Sequence, residues 1–457
     1  MLRKRIIFLS LSCLIIVIPF FMGMVFPKKV IDKRVKKTEI NIETKPNLEI
    51  HEGHVSQKEE TLPVKQGGKT VAIISLSEPV MVVQAEQEEE WGYYQFPSIG
   101  KANDGTLIVG WQMNADSHKS YGKVSERKRI PMMSKDKGKT WKKRDKNYNE
   151  LRGVNKTRLK DGRILTILTP ASKDIKSYKT FPKPVGQKGN MSFYFVDDLP
   201  TELQGVYIQK GEESIHGKII DNGLLRYSID GSMPITWWGN IKELSDGSMV
   251  AGIYPCYYLN EIGEVSPSQI RFYKSTDGGH NWLLLGKVPF KNSIQLPKNN
   301  WVNKNGDYEE PTFEVLSDGT YVCVMRTGMV SPMLESFSYD EGKTWSEPKE
   351  ISPNGVDPSL KLLKNGVLTL VSGRPGIQIR FSLDGTGRNW TEPIDMMPFM
   401  KEDGSYEMNV SCGYPAIIED SKNSFLIVYS DFNTKNNNDE TRKAILIRRV
   451  EVKKKSM

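Results

Sequence analysis

The stretch that decides the fold is residues 338–345, which read SYDEGKTW. The same spacing of Ser, Asp, Gly and Trp recurs at 134–141 (SKDKGKTW) and 275–282 (STDGGHNW), and with one additional residue at 382–390 (SLDGTGRNW). This spacing is typical of a tight turn, because an Asp carboxylate can accept hydrogen bonds from backbone N–H groups across the bend and Gly adopts conformations that other residues resist. The final Trp covers the turn with a large apolar face.

The repetition itself indicates a structural role for the acids in these turns, because an enzyme needs one active site and not four. The four acids are Asp136, Asp277, Asp340 and Asp384.

A second repeat is a turn followed by an apolar strand. Asp-Gly or Asn-Gly before such a strand is a strong signal for a β-hairpin, because both turn residues can adopt positive φ. The six copies begin at Asp104, Asp161, Asp246, Asp318, Asn365 and, in a looser form, Asp420. An Asp-containing turn follows the first, third, fourth and fifth copies. The pattern predicts six sheets of similar plan, joined by loops of different length.

Four such turns, in phase with six hairpins, resemble the Asp boxes, or bacterial neuraminidase repeats, of the sialidase superfamily. The resemblance covers about residues 90 to 450. It implies an all-β fold, a six-bladed β-propeller with four antiparallel strands per blade. It also implies an active site at one end of the central axis, where the innermost strands begin, with the Asp boxes away from it on the outer hairpins.

Charge and cysteine content exclude several other classes of protein. The 457 residues carry a net charge of +9, but the chain has no zinc-finger spacing, phosphate loop or basic stripe with interleaved aromatic residues, so nucleic-acid binding is not expected. Cys13 lies in an apolar segment, which leaves Cys256, Cys323 and Cys412, an odd number without metal-ligand spacing. We therefore expect buried free thiols and no disulfide framework.

The N-terminus predicts a membrane anchor. Residues 6–26 form an apolar run that is long enough to cross a hydrocarbon core of about 30 Å, and basic residues precede it. The absence of a small-residue cleavage site favours an uncleaved signal anchor over a cleaved signal peptide. Lys28 and Lys29, which follow at once, argue against easy export.

Three parts are therefore expected along the chain. Residues 1–27 form a transmembrane segment, and residues 28–69, which are rich in Lys, Glu and Thr, form a flexible linker. Residues 70–457 form the propeller, with a strand at about 71 to 83 that closes the last blade or packs outside it. The propeller is expected outside the cytoplasm at the cell membrane, or secreted if the signal is cleaved.

The resemblance also implies a catalytic set. The segment that starts at Glu310 looks like the family strand whose leading Glu assists the nucleophile, and Tyr414 lies in a Gly-Tyr-Pro-Ala stretch similar to the one that carries the tyrosine nucleophile. Asp116, in the loop after the first apolar strand, is the matching acid/base. Arg326 and Arg374 match arginines that bind the substrate carboxylate.

One position departs from the family pattern. Sialidases usually open the first inner strand with Arg-Ile-Pro, whereas this chain has Gln95-Phe96-Pro97, and Gln cannot supply the charge of an arginine fork. Counting about ten residues back from each hairpin gives the predicted start of the innermost strand of each sheet. These predicted starts include Gln95, Asp357 and Tyr414. The same count reaches Trp237, a candidate sugar-stacking platform or a residue that fills a blade.

The resemblance implies an exo-α-sialidase-like glycoside hydrolase that removes a terminal acidic sugar from surface or extracellular glycans. A neutral Tyr suits a substrate whose carboxylate would repel an anionic nucleophile. The expected partners are a glycan and the membrane, with no cofactor and no metal. Two alternatives stay open, because function lives in the site and not in the fold. One is another carbohydrate-active enzyme, such as a polysaccharide lyase or a different exo-glycosidase, and the other is a carbohydrate-binding propeller without catalysis.

Overall fold

The computed structural model describes residues 59–116, 130–145, 155–168, 178–188, 191–221, 225–229, 238–254, 267–290, 308–328, 331–374, 376–397 and 410–454. Within these ranges the regular elements are β-strands, apart from two short 3-10 helices at Val196–Asp198 and Thr201–Leu203. The predicted all-β class is therefore confirmed for the described part of the chain.

The strands are numbered in chain order. They are β1 (Glu60–Gln66), β2 (Lys69–Leu76), β3 (Val80–Gln84), β4 (Tyr93–Lys101), β5 (Leu107–Met113), β6 (Met132–Ser134), β7 (Lys142–Lys143), β8 (Lys156–Arg158), β9 (Ile164–Leu168), β10 (Gly186–Lys188), β11 (Met191–Phe195), β12 (Val206–Lys210), β13 (Glu213–Ile220), β14 (Leu225–Ile229), β15 (Trp238–Glu243), β16 (Met249–Tyr254), β17 (Arg271–Ser275), β18 (Asn281–Lys287), β19 (Glu309–Val315), β20 (Tyr321–Arg326), β21 (Met333–Ser338), β22 (Lys349–Ser352), β23 (Val356–Leu362), β24 (Leu368–Gly373), β25 (Ile377–Ser382), β26 (Ile394–Met397), β27 (Ala416–Ser421), β28 (Ser424–Lys435) and β29 (Thr441–Lys454).

Three sheets are antiparallel meanders of four consecutive strands, β4 to β7, β19 to β22 and β23 to β26. The strands β15 to β18 form a similar meander, and β8, β9, β12 and β13 form another, joined to it by parallel pairing of β13 with β18. A small sheet of β10, β11 and β14 lies outside this plan. The sheet formed by β27, β28 and β29 takes its further strands from the N-terminal part of the chain.

The N-terminal strands require a correction to the predicted linker. β1 pairs with β2, and both β2 and β3 pair with β29. Residues 60–66, assigned to the linker from their composition, are therefore a strand. Val64 of β1 is fully buried, whereas Pro63 and Lys65 on either side are exposed, so a single buried residue anchors a segment that looks solvated in sequence.

The first strands of successive sheets lie side by side. β19 contacts β15 on one side and β23 on the other, β23 contacts β27, and β27 contacts β4. β15 also contacts β8, and Arg158 of β8 donates hydrogen bonds to the Lys101 carbonyl and the Asn103 side chain at the end of β4. The core lies between neighbouring sheets. Phe337 and Val322 of one sheet, for example, pack against Leu368 and Leu370 of the next.

All six predicted hairpins join the first strand of a sheet to its second. The conformation of the turn differs from the expectation that both turn residues adopt positive φ. Only the glycines have positive φ, for example 85° at Gly105 and 84° at Gly319. The preceding Asp acts through its side chain instead. Oδ1 of Asp318 accepts a hydrogen bond from the Thr320 N–H at 2.9 Å, and Asp104 does the same for Thr106.

The four Ser-x-Asp turns each connect the third strand of a sheet to the fourth. In the turn at 338–345, Asp340 Oδ1 accepts hydrogen bonds from the Ser338 hydroxyl at 2.8 Å and the Thr344 N–H at 2.9 Å, and Asp340 Oδ2 accepts one from the Thr344 hydroxyl at 2.6 Å. Trp345 Nε1 donates to the Gly342 carbonyl at 3.0 Å. Each hydrogen bond lies within the turn, so this Asp has a structural role.

Asp340→Ala is expected to lower the melting temperature by several degrees and to leave the activity of folded molecules unchanged, because it removes the acceptor that organises one turn. The Thr344 hydrogen bonds lower the pKa of Asp340 from 3.8 to about 2. The stability that this carboxylate contributes is therefore present above about pH 4 and is lost as the pH falls toward 2. Thermal denaturation between pH 2 and pH 7 checks this. Equal melting temperatures of the two proteins at pH 7 would contradict the assignment.

The described residues contain no helix of the length and apolarity that a membrane span requires. The predicted anchor at 6–26 lies outside the described residues and stays a prediction. Of the cysteines, Cys323 and Cys412 are described, and both are buried free thiols as expected.

Candidate active site

Three residues in the first strands of their sheets share an uncommon backbone conformation. Phe96, Glu310 and Asp357 have φ values of 49°, 47° and 45°, and a proline follows each of them. Each lies where the register between the first and second strands of its sheet shifts. Such bulges turn a side chain away from the regular alternation, and positive φ in a non-glycine residue recurs at functional sites.

Tyr414 reaches the same end of the sheets by a close approach of two glycines. A Cβ atom on Gly373 would lie 2.1 Å from the Gly413 carbonyl oxygen, and one on Gly413, whose φ is 70°, would lie 2.4 Å from the Arg374 nitrogen. Larger residues are therefore excluded from both positions. The approach of the two backbones sets Arg374 beside Tyr414.

The central group of the site is a three-way contact between Tyr414, Glu310 and Arg326. The Tyr414 hydroxyl donates to Glu310 Oε1 at 2.5 Å, and Arg326 Nη1 donates to the same oxygen at 2.7 Å and to the Tyr414 hydroxyl oxygen at 2.9 Å. The backbone N–H of Asp357 donates to Glu310 Oε2 at 2.8 Å. Both oxygens of this buried carboxylate are thus held in place.

Arg374 completes the cluster from above the tyrosine ring. Its guanidinium carbon lies 5.1 Å from the centre of the Tyr414 ring and 5.7 Å from that of Trp91. Its Nη2 donates to the Cys412 carbonyl at 3.1 Å. Two guanidinium groups, one of them ion-paired with Glu310, therefore flank one phenol, an arrangement suited to an anionic ligand.

Burial and neighbouring charges set the protonation of the cluster. Burial, together with the Glu310 carboxylate, raises the pKa of Tyr414 well above 10, so the phenol is protonated at neutral pH. Burial opposes the charge of Arg326, but Glu310 and Tyr414 more than offset this and raise its pKa. Burial and Glu310 also raise the pKa of Asp357 well above its ordinary value. A base is therefore needed to ionise the tyrosine, and Glu310 is in direct contact with it.

Asp116 lies at the edge of the cluster, where Trp91 connects it to the other residues. Trp91 Nε1 donates to Asp116 Oδ2 at 2.9 Å. The Trp91 ring also makes an edge contact with Phe96, at 6.2 Å between centroids, and Phe96 in turn meets the Tyr414 ring at 4.9 Å. Aromatic side chains thus form one wall of the site, next to the predicted acid.

Five of the seven predicted catalytic and substrate-binding residues come together here. They are Tyr414, Glu310, Arg326, Arg374 and Asp116. Gln95 is fully buried, and its amide makes no hydrogen bond with the described residues. Contact of Gln95 with substrate stays a prediction, and the burial of the side chain argues against it. Trp237 lies outside the described residues.

Sequence reasoning assigned no role to three further residues of the site. The count back from the hairpins puts Asp357 at a strand start without indicating a function, and its Asp-Pro pair, parallel to Glu310-Pro311, is the sequence signal that identifies it. The Phe96-Pro97 pair carries the same signal. Trp91 lies before the first strand of its sheet, and the sequence pattern gives no sign of its contacts.

Comparison with known proteins supports the fold. The chain is similar to a protein of unknown function from Dyadobacter fermentans, with a TM-score of 0.53 at 18% identity over 82% of this chain and 99% of that one. A variant of the NanB sialidase from Streptococcus pneumoniae gives a TM-score of 0.44 at 13% identity, over 82% of this chain and 71% of that one. At 18% identity the likeness to the Dyadobacter protein concerns the fold alone. No curated protein matches the sequence at a significant level.

The family comparison agrees with the repeats described above. Residues 239–427 match the BNR repeat-like domain, a stretch that includes three of the four Ser-x-Asp turns. It also includes Glu310, Arg326, Arg374 and Tyr414, so most of the candidate site lies within a region similar to the BNR repeat-like domain.

Proposed function

We propose that the protein is an exo-acting glycoside hydrolase that removes a terminal acidic sugar, with Tyr414 as nucleophile and Glu310 as its base. The observation that carries this proposal is the 2.5 Å hydrogen bond from the Tyr414 hydroxyl to Glu310, with Arg326 bound to both groups. A nucleophile within hydrogen-bond reach of a base, which a third group orients, is the arrangement that covalent catalysis requires.

The charges around the tyrosine support an acidic substrate. Arg326 and Arg374 flank the phenol, and each can bind a carboxylate through its planar fork. An anionic sugar bound there would repel a carboxylate nucleophile, whereas a protonated phenol approaches it without this penalty. The raised pKa of Tyr414 keeps the phenol neutral until the moment of attack.

The reaction then has two steps. In the first, the Tyr414 oxygen attacks the anomeric carbon and gives its proton to Glu310, while the glycosidic bond breaks and its oxygen takes a proton from Asp116. In the second, the Asp116 carboxylate takes a proton from a water molecule whose oxygen attacks the anomeric carbon. The tyrosine leaves and recovers its proton from Glu310. Two displacements at one carbon retain the anomeric configuration.

We also infer that the sheets are the blades of a six-bladed propeller. The order of first strands supports this, since β8, β15, β19, β23, β27 and β4 follow one another and Arg158 links β8 back to β4. In such a propeller the strand starts at Phe96, Glu310 and Asp357 converge at one end of the axis. Each of these three strands has a bulge at the same place, which explains how side chains from separate sheets reach one pocket.

A glycan screen with the purified full-length chain tests the function. We expect release of a free acidic sugar from sialylated or uronic-acid-capped oligosaccharides, with retained anomeric configuration by proton NMR. A product with an unsaturated, ultraviolet-absorbing end would instead identify a lyase. Binding without any product would identify a carbohydrate-binding protein. Inversion of configuration would contradict a tyrosine nucleophile even if the protein hydrolyses glycans.

A further inference from the structure

We propose that Trp91 is a positioning residue, which holds the acid/base Asp116 in place at the pocket and ties it to the anion-binding Arg374. This inference rests on the proposed function, because it concerns the proton transfer to the leaving oxygen. Trp91, which lies outside the sheets, thereby helps to determine which glycosides the enzyme can cleave.

Three independent contacts join the Trp91 segment to Asp116. The indole Nε1 donates to Asp116 Oδ2 at 2.9 Å, and the backbone N–H of Asp116 donates to the Trp91 carbonyl at 3.4 Å. Gly92 has a φ of 104°, and a Cβ atom there would lie 2.3 Å from the Asn114 carbonyl oxygen and 2.4 Å from the Asp116 nitrogen. The two segments are therefore in direct backbone contact, and only glycine fits between them.

The indole ring is itself held from several sides. The Arg374 guanidinium lies over it at 5.7 Å, and the edges of Phe96 and Phe432 meet it at 6.2 Å and 6.1 Å. Lys443 lies over the Phe432 ring at 4.8 Å and donates to the Glu90 carbonyl at 2.8 Å, which fixes the residue before Trp91. These contacts give the ring a fixed orientation without covering it.

Exposure separates Trp91 from the tryptophans that fill the sheets. Trp91 is 40% exposed, whereas Trp282 is fully buried and Trp345 is 8% exposed. A residue that served only packing would gain from burial of its large apolar surface. Trp91 instead stays partly exposed to solvent while its indole N–H is bound to the predicted acid. Position and exposure together favour a role at the pocket.

Loss of the hydrogen bond between Trp91 and Asp116 should lower the reaction rate by an amount that depends on the leaving group. A general acid must lie within hydrogen-bond reach of the oxygen it protonates, and a displacement of about 1 Å can cost 10²-fold in rate. Protonation matters only when the leaving group is a poor one. A sugar alcohol must be protonated as it departs, whereas a nitrophenolate departs as a stable anion and needs no proton.

Trp91→Phe tests the inference, because it keeps an aromatic ring and removes the N–H. We expect kcat/KM to fall about 10- to 100-fold on an oligosaccharide and less than about 3-fold on the nitrophenyl glycoside of the same sugar. Trp141→Phe is the matched control, because it removes the indole hydrogen bond to the Gly138 carbonyl in the turn between β6 and β7, away from the proposed proton transfer. It should affect both substrates equally or not at all.

A second variant guards against a folding defect in the first. Gly92→Ala leaves the indole intact but forces the Trp91 and Asp116 segments apart, so it should reproduce the selective loss on the oligosaccharide. Equal losses on the two substrates, or none on either, would overturn the inference while leaving the hydrolase proposal intact. Failure of the unsubstituted protein to hydrolyse any glycoside would instead overturn the proposed function, and this inference with it.

Discussion

Tyr414→Phe is expected to lower turnover by about 10³-fold or more while the protein stays folded, because it removes only the attacking oxygen. The variant keeps the ring that contacts Phe96 and Arg374. Glu310 keeps its hydrogen bonds from Arg326 and the Asp357 backbone. Initial rates on the substrate identified in the glycan screen, together with circular dichroism, check both parts of this prediction.

Tyr429→Phe provides the matched control. Tyr429 lies on β28, the strand that pairs with β27, and β27 begins two residues after Tyr414. Tyr429 is fully buried, but its hydroxyl has no hydrogen-bond partner among the described residues. Its removal should leave both turnover and melting temperature nearly unchanged.

A mechanism-based fluorinated glycoside adds a direct test of covalency. The peptide that contains Tyr414 should gain the mass of the sugar in the unsubstituted protein and not in Tyr414→Phe. Full activity of Tyr414→Phe would show that the pocket works without a tyrosine nucleophile.

The parts of this site that the sequence predicted are those that local patterns encode. The family resemblance predicted Tyr414, Glu310 and Arg326 from short local motifs, and counting back from the hairpins also reaches Glu310 and Tyr414. The burial of Gln95, a predicted substrate-binding residue in β4, has a physical cause. Counting assumes that side chains alternate faces with a period of two, whereas the bulge at Phe96 inserts a residue with positive φ. Phe96 therefore contacts Tyr414 and Gln95 is buried.

The features that the sequence did not predict depend on contacts between distant segments. β1 is a strand because β2 and the C-terminal strand β29 provide its sheet, although its own composition resembles that of a linker. Trp91 is a site residue because Asp116 and Phe432 meet it. An arginine introduced to bind the substrate carboxylate is therefore better placed at Phe96 than at Gln95, because the bulge directs the Phe96 side chain toward the tyrosine.

Glu310→Gln is expected to lower turnover about 10²- to 10⁴-fold, the usual contribution of a general base. The amide keeps one oxygen to accept hydrogen bonds but can neither take the tyrosine proton nor balance the charge of Arg326. The Glu309 carboxylate, 3.6 Å from Arg326, remains as a counter-ion, so the fold should survive. Glu314→Gln on the same strand is the matched control, because Glu314 is equally buried, at 6% exposure for each residue, and binds Lys242 at 2.6 Å away from the tyrosine.

The two variants should therefore separate chemistry from stability. Glu314→Gln leaves a largely buried lysine without its closest partner, which should lower the free energy of unfolding by about 1–3 kcal/mol with little change in the turnover of folded molecules. Glu310→Gln should show the opposite pattern. Urea denaturation and initial rates, measured on both variants, distinguish the two effects. Only Glu310 contacts the nucleophile, so only its substitution should lower turnover per folded molecule. Similar losses of turnover in the two variants would mean that Glu310 acts as a buried ion-pair partner that stabilises the structure, and not as a base.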